Sequence, residues 1–164
     1  MMNEVAGLSY RALTQSEARD IVAGQRAGHV WAADYPTLGD FNVAHAALAG
    51  NRTFASEAMP WGLYVVVENA SGMSIGGVGF VTAPNELGEV EIGYGICQSS
   101  QGKGVATEAV LAMCEIARGG ASALLAETVL DNLASQRVLE KTGFQIVDQS
   151  GDLIHWRKSL GAQT

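Results

Sequence analysis

Basic residues are scarce in this chain. Ten lysines and arginines stand against 17 aspartates and glutamates in 164 residues, a net charge of −7. A nucleic acid needs a basic face to displace its counterions, so this balance speaks against DNA or RNA as a partner. A negative field favours cationic partners such as amines, and an anionic ligand would have to rely on a local positive patch. Cysteine is nearly absent: Cys97 and Cys114 are the only two. Without CxxC spacing they imply free thiols in a reducing cytoplasm rather than a disulfide. His29, His45 and His155 share no metal-ligand spacing, so no metal is expected. No apolar run is long enough to span a bilayer. The amino terminus lacks the basic-then-apolar pattern of a secretory signal. No repeat, low-complexity stretch or linker interrupts residues 1–164, which read as a single cytoplasmic domain. Its 48% hydrophobic and 16% charged residues suit a packed core.

Two periodicities alternate along the chain. Leu8 to Leu13 reads as a first strand. Thr14-Gln15-Ser16-Glu17 has capping-box spacing and predicts a helix from about Gln15 to Ala23, stopping at Gly24. His29 to Gly39 reads as a loop, and Asp40 is placed to cap a second helix that ends near Gly50. Trp61 to Glu68 is a near-continuous apolar run rich in β-branched residues, expected as a buried strand. Ser74 to Thr82 returns as a second strand, and Glu89 to Cys97 follows the turn at Pro84 to Gly88. Along Glu89 to Cys97, residues Val90, Ile92, Tyr94 and Ile96 share one face and Glu89, Glu91 and Gly93 the other. The next helix places Ala106, Ala109, Val110, Met113, Ile116 and Ala117 at helical spacing and ends at Gly119-Gly120. Leu124 to Leu130 is a strand, Asp131 or Asn132 caps a helix ending at Gly143, and Phe144 to Val147 with Leu153 to Lys158 form a hairpin. This order predicts an α+β fold: a central mixed, mostly antiparallel twisted sheet of six to seven strands with helices on both faces.

The most telling stretch is Glu91-Ile92-Gly93-Tyr94-Gly95-Ile96-Cys97-Gln98-Ser99-Ser100-Gln101-Gly102-Lys103-Gly104-Val105-Ala106. It is a strand, a glycine-rich turn and the first turn of a helix. A bare helix start exposes backbone N–H groups and the positive end of the helix dipole, which together form a site for phosphate. Gly102 and Gly104 remove side chains where a phosphate must approach the backbone. A phosphate-loop NTPase is excluded by spacing. Cys97 stands where the first glycine of that motif would be, and Gly104 where a Ser or Thr must hold Mg²⁺.

Two segments resemble one family. Gln101-Gly102-Lys103-Gly104-Val105-Ala106 fits the Gln/Arg-x-x-Gly-x-Gly/Ala signature of the GCN5-related N-acetyltransferases (GNAT). Asn132 to Phe144, with its closing Gly143-Phe144, resembles the second signature of that family. Glu91 to Tyr94, with Ser135, looks closest to the branch of ribosomal-protein N-terminal acetyltransferases. The resemblance implies a GNAT-like fold and an acetyl-CoA-dependent N-acetyltransferase, with acetyl-CoA as co-substrate. The acceptor would be a small-molecule amine or a protein or peptide N-terminal amine. Many family members are dimers, so a homodimer is open to this chain. An alternative is an inactive acyl-CoA-binding sensor or regulatory module.

The resemblance also implies roles. The strand before the glycine turn splays from its neighbour and pairs with the pantetheine arm. The cofactor-binding candidates are Ile96, Gln101, Gly102, Lys103, Gly104, Val105, Ala106 and Asn132. Arg137 and Lys141 join Lys103 as candidates for the coenzyme phosphates. An amine must lose a proton before it attacks a thioester, and Glu91 is the candidate base, with Glu89 on the same face as the alternative. Many members use a Tyr seven residues after the Asn of the second motif to protonate the leaving thiolate. Here that position is Leu139, and the branch the chain looks closest to suggests Ser135 in its place as a hydrogen-bond donor to sulfur. Trp31 and Tyr35, in the loop where relatives shape the acceptor site, are the candidate substrate-binding residues.

Overall fold

The computed structural model describes residues 2–5 and 7–161. Eight strands form one sheet in the order β1-β2-β3-β4-β5-β6-β8-β7. They are β1 (Met2–Val5), β2 (Leu8–Ala12), β3 (Leu63–Glu68), β4 (Met73–Phe80), β5 (Glu89–Ile96), β6 (Ala123–Val129), β7 (Gln145–Ser150) and β8 (Leu153–Ser159). The helices are α1 (Gln15–Ala23), α2 (Leu38–Leu48), α3 (Val105–Ala117) and α4 (Leu133–Lys141). The α+β prediction holds, with eight strands rather than six to seven. The additional one is β1, which pairs antiparallel with β2. The closing hairpin enters the sheet through its second strand: β8, not β7, pairs with β6.

Local sequence explains the helix starts. Thr14 Oγ1 accepts the Glu17 N–H at 3.1 Å. Asp40 does not cap α2 as expected. The cap is Thr37, and Asp40 is its capping-box partner three residues on, each side chain serving the other's backbone. Asn132 caps α4 by accepting the Ser135 N–H at 3.1 Å.

The helices divide between the two faces of the sheet. α1 and α2 pack on each other, and α2 lies over β4 and β5. α3 packs on β4, β5 and α4. A Cβ on Gly77 of β4 would run into Asp40 Oδ1 of α2, so the missing side chain there lets helix and sheet close up. Tyr94, one residue out of phase with Gly93 and Gly95, reaches α4 instead. Tyr64, Val65, Val66, Val78, Val90, Met113, Leu124 and Leu139 are fully buried in the core. Leu124→Ala is expected to cost about 2–5 kcal/mol, read as a shift of the urea midpoint at unchanged slope.

β5 changes partner along its length. Its first three residues pair in parallel with β6, from Glu89↔Ala123 to Glu91↔Leu125. Ile92 to Ile96 pair only with β4, from Ile92↔Phe80 to Ile96↔Gly76. The Val81 N–H donates to Glu91 C=O and the Cys97 N–H to Ile75 C=O, both at 2.8 Å, so the odd-numbered residues of β5 face β4. By the alternation of an antiparallel ladder, the backbone groups of Ile92, Tyr94 and Ile96 then face the gap between β5 and β6.

Candidate active site

Where β5 runs free of β6 lies a cleft of about 450 Å³ lined by the end of β5, the glycine turn, the first turn of α3 and one face of α4 from Asn132 to Lys141. The Gln101 side-chain amide donates to Ile96 C=O at 2.9 Å and ties the strand end to the turn. Gly104 is left-handed, with φ +79°, and α3 starts directly after it. Its conformation turns the chain sharply enough to aim the helix start at the cleft. The first in-helix bond of α3 is Glu108 N–H to Gly104 C=O, at 3.1 Å. The N–H groups of Gly102 through Thr107 have no backbone acceptor among the described residues. An unpaired strand edge thus meets a row of free donors at a helix start, the combination that suits an amide-bearing arm ending in phosphates.

A family model for the acetyltransferase (GNAT) domain matches residues 8–145. The chain belongs to the GNAT family. A curated relative, the uncharacterized N-acetyltransferase YjdG of Bacillus subtilis, is 34% identical over 95 residues, covering 57% of this chain and 56% of that protein. The match therefore spans about half the length of that relative. The ribosomal L7/L12 α-N-protein acetyltransferase RimL, solved with coenzyme A, superposes with a TM-score of 0.69 at 17% identity over 97% of this chain and 98% of RimL. YncA of Salmonella typhimurium, solved with acetyl-CoA, superposes with a TM-score of 0.65 at 18% identity over 96% of each chain. At these identities the two structures show the shared GNAT fold.

In this GNAT domain, Ile96, Gln101, Gly102, Gly104, Val105, Ala106 and Asn132 line the cleft, as do Ser135, Arg137 and Lys141. Lys103 does not line it; the side chain stands exposed in solvent. Leu139, at the position of the family tyrosine, is fully buried in the core. The structure brings up a different hydroxyl. Tyr94 reaches from β5 to the start of α4, and its Oη lies 2.6 Å from Ser135 Oγ. Burial pushes the Tyr94 phenol above its ordinary value, against the Ser135 hydrogen bond that lowers it. The sequence places Tyr94 on one face with Val90, Ile92 and Ile96 and within the Glu91 to Tyr94 stretch of the family resemblance, and assigns its hydroxyl no role. The available signal was its polar tip, alone on that face and aimed at the second motif.

Glu91 and Glu89 lie on the α2 side of the sheet and have different surroundings. Glu89 is held by Arg157 Nε at 3.2 Å and by Asn85 Nδ2 at 3.4 Å. Glu91 is half-buried, and among the described residues nothing forms a hydrogen bond or ion pair with its carboxyl group. Its pKa is raised by burial first and then by the charge of Glu127, while Arg52 and His155 pull it down. Glu127 stands two residues beyond Leu125, the partner of Glu91, where β6 has left β5. Glu91 and Glu127 therefore flank the splay, one from each strand.

Trp31 and Tyr35 are not walls of the cleft. Both are buried, at 8% and 1% exposure. The Trp31 indole N–H donates to Glu17 Oε1 at 3.2 Å, and its ring stacks on His29 and meets Tyr35 edge-on. Arg26 donates to the carbonyls of Ala32 and Tyr35. The loop is thus folded inward as a plug on the core. The opposite side of β5 carries a second, smaller cavity of about 120 Å³ whose walls include Asp40, Arg52, Gly93 and Tyr94.

Cys97 and Cys114 are free and buried. Burial first, then Asp34 and Asp40, pushes the Cys97 thiol up to about 12, so it is no nucleophile at neutral pH. No group of His, Cys, Asp or Glu among the described residues is placed to hold a metal ion. No described helix is long and apolar enough to cross a membrane.

Proposed function

We propose that the chain is an N-acetyltransferase that moves an acetyl group from acetyl-CoA to an amine by direct attack in the cleft between β5 and β6. The observation that carries this reading is the loss of β6 pairing after Glu91, directly before a row of free N–H groups at the start of α3. The pantetheine arm would take the open edge of β5 as an added strand. The diphosphate would sit on the amides from Gly102 to Ala106, with Arg137 and Lys141 beside it. Titration calorimetry with acetyl-CoA, using ATP as the control, tests the reading. Micromolar binding of acetyl-CoA alone supports it, and no binding removes it.

Glu91, with its raised pKa and unoccupied carboxyl group, suits a base that takes the proton of the amine; Glu89 is already engaged by Arg157. The free amine attacks the thioester carbonyl, the C–N bond forms, and the oxyanion is met by a backbone N–H on the open edge, such as that of Ile96. As the nitrogen sheds its remaining extra proton to solvent, the C–S bond breaks, and the thiolate is met by a hydrogen bond or a proton from the linked hydroxyls of Tyr94 and Ser135, a donated proton being replaced from solvent. No activated nucleophile lines the cleft, which favours direct transfer over a covalent enzyme intermediate. Tyr94→Phe is expected to lower kcat about 10- to 100-fold, the worth of one hydrogen bond to a charged group, with the Kd for acetyl-CoA unchanged. Stopped-flow release of CoA and calorimetry check the two halves of that expectation.

A further inference from the structure

The smaller cavity lies between α2, β4 and β5, on the side of the sheet that carries Glu91. Its floor is glycine: Gly77 and Gly79 from β4, Gly93 and Gly95 from β5. A Cβ at Gly93 would meet nothing within 4 Å, so the floor there is open space that any larger residue would fill. Two charged side chains of opposite sign face this space. Asp40 is only 4% exposed. Its Oδ2 accepts the Thr37 N–H at 2.9 Å and the Thr37 O–H at 2.8 Å. Its Oδ1 has no donor among the described residues. Arg52, in the segment after α2, lines the same cavity, has no ion pair among the described residues, and is close enough for the Glu91 carboxyl to feel its charge.

We propose that this cavity takes the acceptor, that the acceptor is a free α-amino acid or a close analogue, and that Arg52 binds its carboxylate. The inference rests on the acetyltransfer reading above and narrows it. Arg52 near Glu91 sets the order of the groups. A carboxylate on the guanidinium would hold an amine on the adjacent carbon on the face of β5 that carries Glu91, and direct the side chain over Gly93 toward Asp40 Oδ1. A planar guanidinium matches a carboxylate with two parallel N–H···O bonds. A peptide N-terminus offers an amide carbonyl at that place and leaves Arg52 without an anion. A polyamine brings a second cation toward a guanidinium that has no ion-pair partner of its own among the described residues. The small volume agrees, since about 120 Å³ holds a compact side chain and not a folded peptide.

The test is a set of matched pairs, each amino acid beside its own carboxamide, assayed by CoA release at saturating acetyl-CoA. Serine, glutamine and methionine with their amides sample polar and apolar side chains. The free acid is expected to exceed its amide about 10- to 100-fold in kcat/KM, the worth of a charge-assisted pair. Arg52→Gln should erase that ratio by raising KM for the acid. Arg52→Lys, which keeps the charge and loses the fork, should retain part of it. Amides or N-terminal peptides turned over as well as the acids overturn the proposal, as does an unchanged ratio in Arg52→Gln. If acetyl-CoA binds and no amino acid is acetylated, the amino-acid assignment falls and the cofactor reading stands. If acetyl-CoA does not bind, both fall.

Discussion

Glu91→Gln is expected to lower kcat/KM for the amine about 10²- to 10⁴-fold, the usual worth of a positioned general base. Burial and Glu127 raise the Glu91 pKa, so the basic form is gained only as pH rises through that elevated value. The wild-type rate should fall on the acid side of this pKa, and the limb should vanish in the glutamine variant. A residual rate that keeps the same limb would assign the base elsewhere. Stability should move the other way. A carboxyl group whose folded-state pKa is raised binds its proton more tightly folded than unfolded. Its favourable contribution is complete below the unfolded pKa and is lost as pH rises through the folded one. At pH 7–8 the ionised Glu91 therefore burdens the fold, and Glu91→Gln should melt slightly higher than wild type there. Measured at pH 4, the difference should shrink. A variant that loses activity while gaining thermal stability is the signature of a residue kept for chemistry.

Gly104→Trp is expected to abolish acetyl-CoA binding while leaving the domain folded. Gly104 lines the cleft, and a Cβ there meets nothing within 4 Å, so an indole would enter the space between the strand edge and the helix start. A non-glycine residue at φ +79° costs roughly 1–2 kcal/mol of strain, which a domain of ordinary stability survives. Gly104→Ala separates strain from obstruction, since it carries the same backbone penalty and leaves the cleft open. Calorimetry should find near-normal affinity for the alanine variant and none for tryptophan. Equal losses in both would mean that the turn's geometry, rather than its emptiness, matters.

The parts of this molecule that were legible in sequence are those encoded by neighbours. The helix cap at Thr14, the alternation of Val90, Ile92, Tyr94 and Ile96, and the glycine turn all depend on residues a few positions apart. So did the second signature, whose Asn132 caps α4. Asp40 was misplaced by three residues because an aspartate at a helix start can be either the cap or the cap's partner, and Thr37 decided it. The position of β8 beside β6 was not readable, because both hairpin strands offer a plausible register and only the tertiary fit selects one. Trp31 and Tyr35 are expected near the acceptor because their loop lies where relatives shape the acceptor site, and a place in the family pattern does not say which way a ring turns. What turned them inward was Arg26, which satisfies the loop carbonyls and lets the rings leave the surface. The role of Tyr94 was hidden for a related reason: its hydroxyl partner lies 41 positions away.

The change of partner along β5 has a consequence for cooperativity. Among the described residues, only three pairs join β1–β5 to β6–β8 through the sheet itself. The rest of that boundary is left to the helices, to the Glu89–Arg157 pair and the Ser122 bonds at its start, and to the Tyr94–Ser135 bond at the splay. The two half-sheets are thus candidates for separate opening units in native-state hydrogen exchange, with Ile92, Tyr94 and Ile96 among the least protected amides of the interior. A ligand lying along that boundary would do more than occupy a site. It would supply the missing ladder and weld two units into one, adding about 2.7 kcal/mol at a hundredfold excess over Kd. In its free state the domain would breathe at this seam, and the same seam would be its most rigid line once the acyl donor is in place.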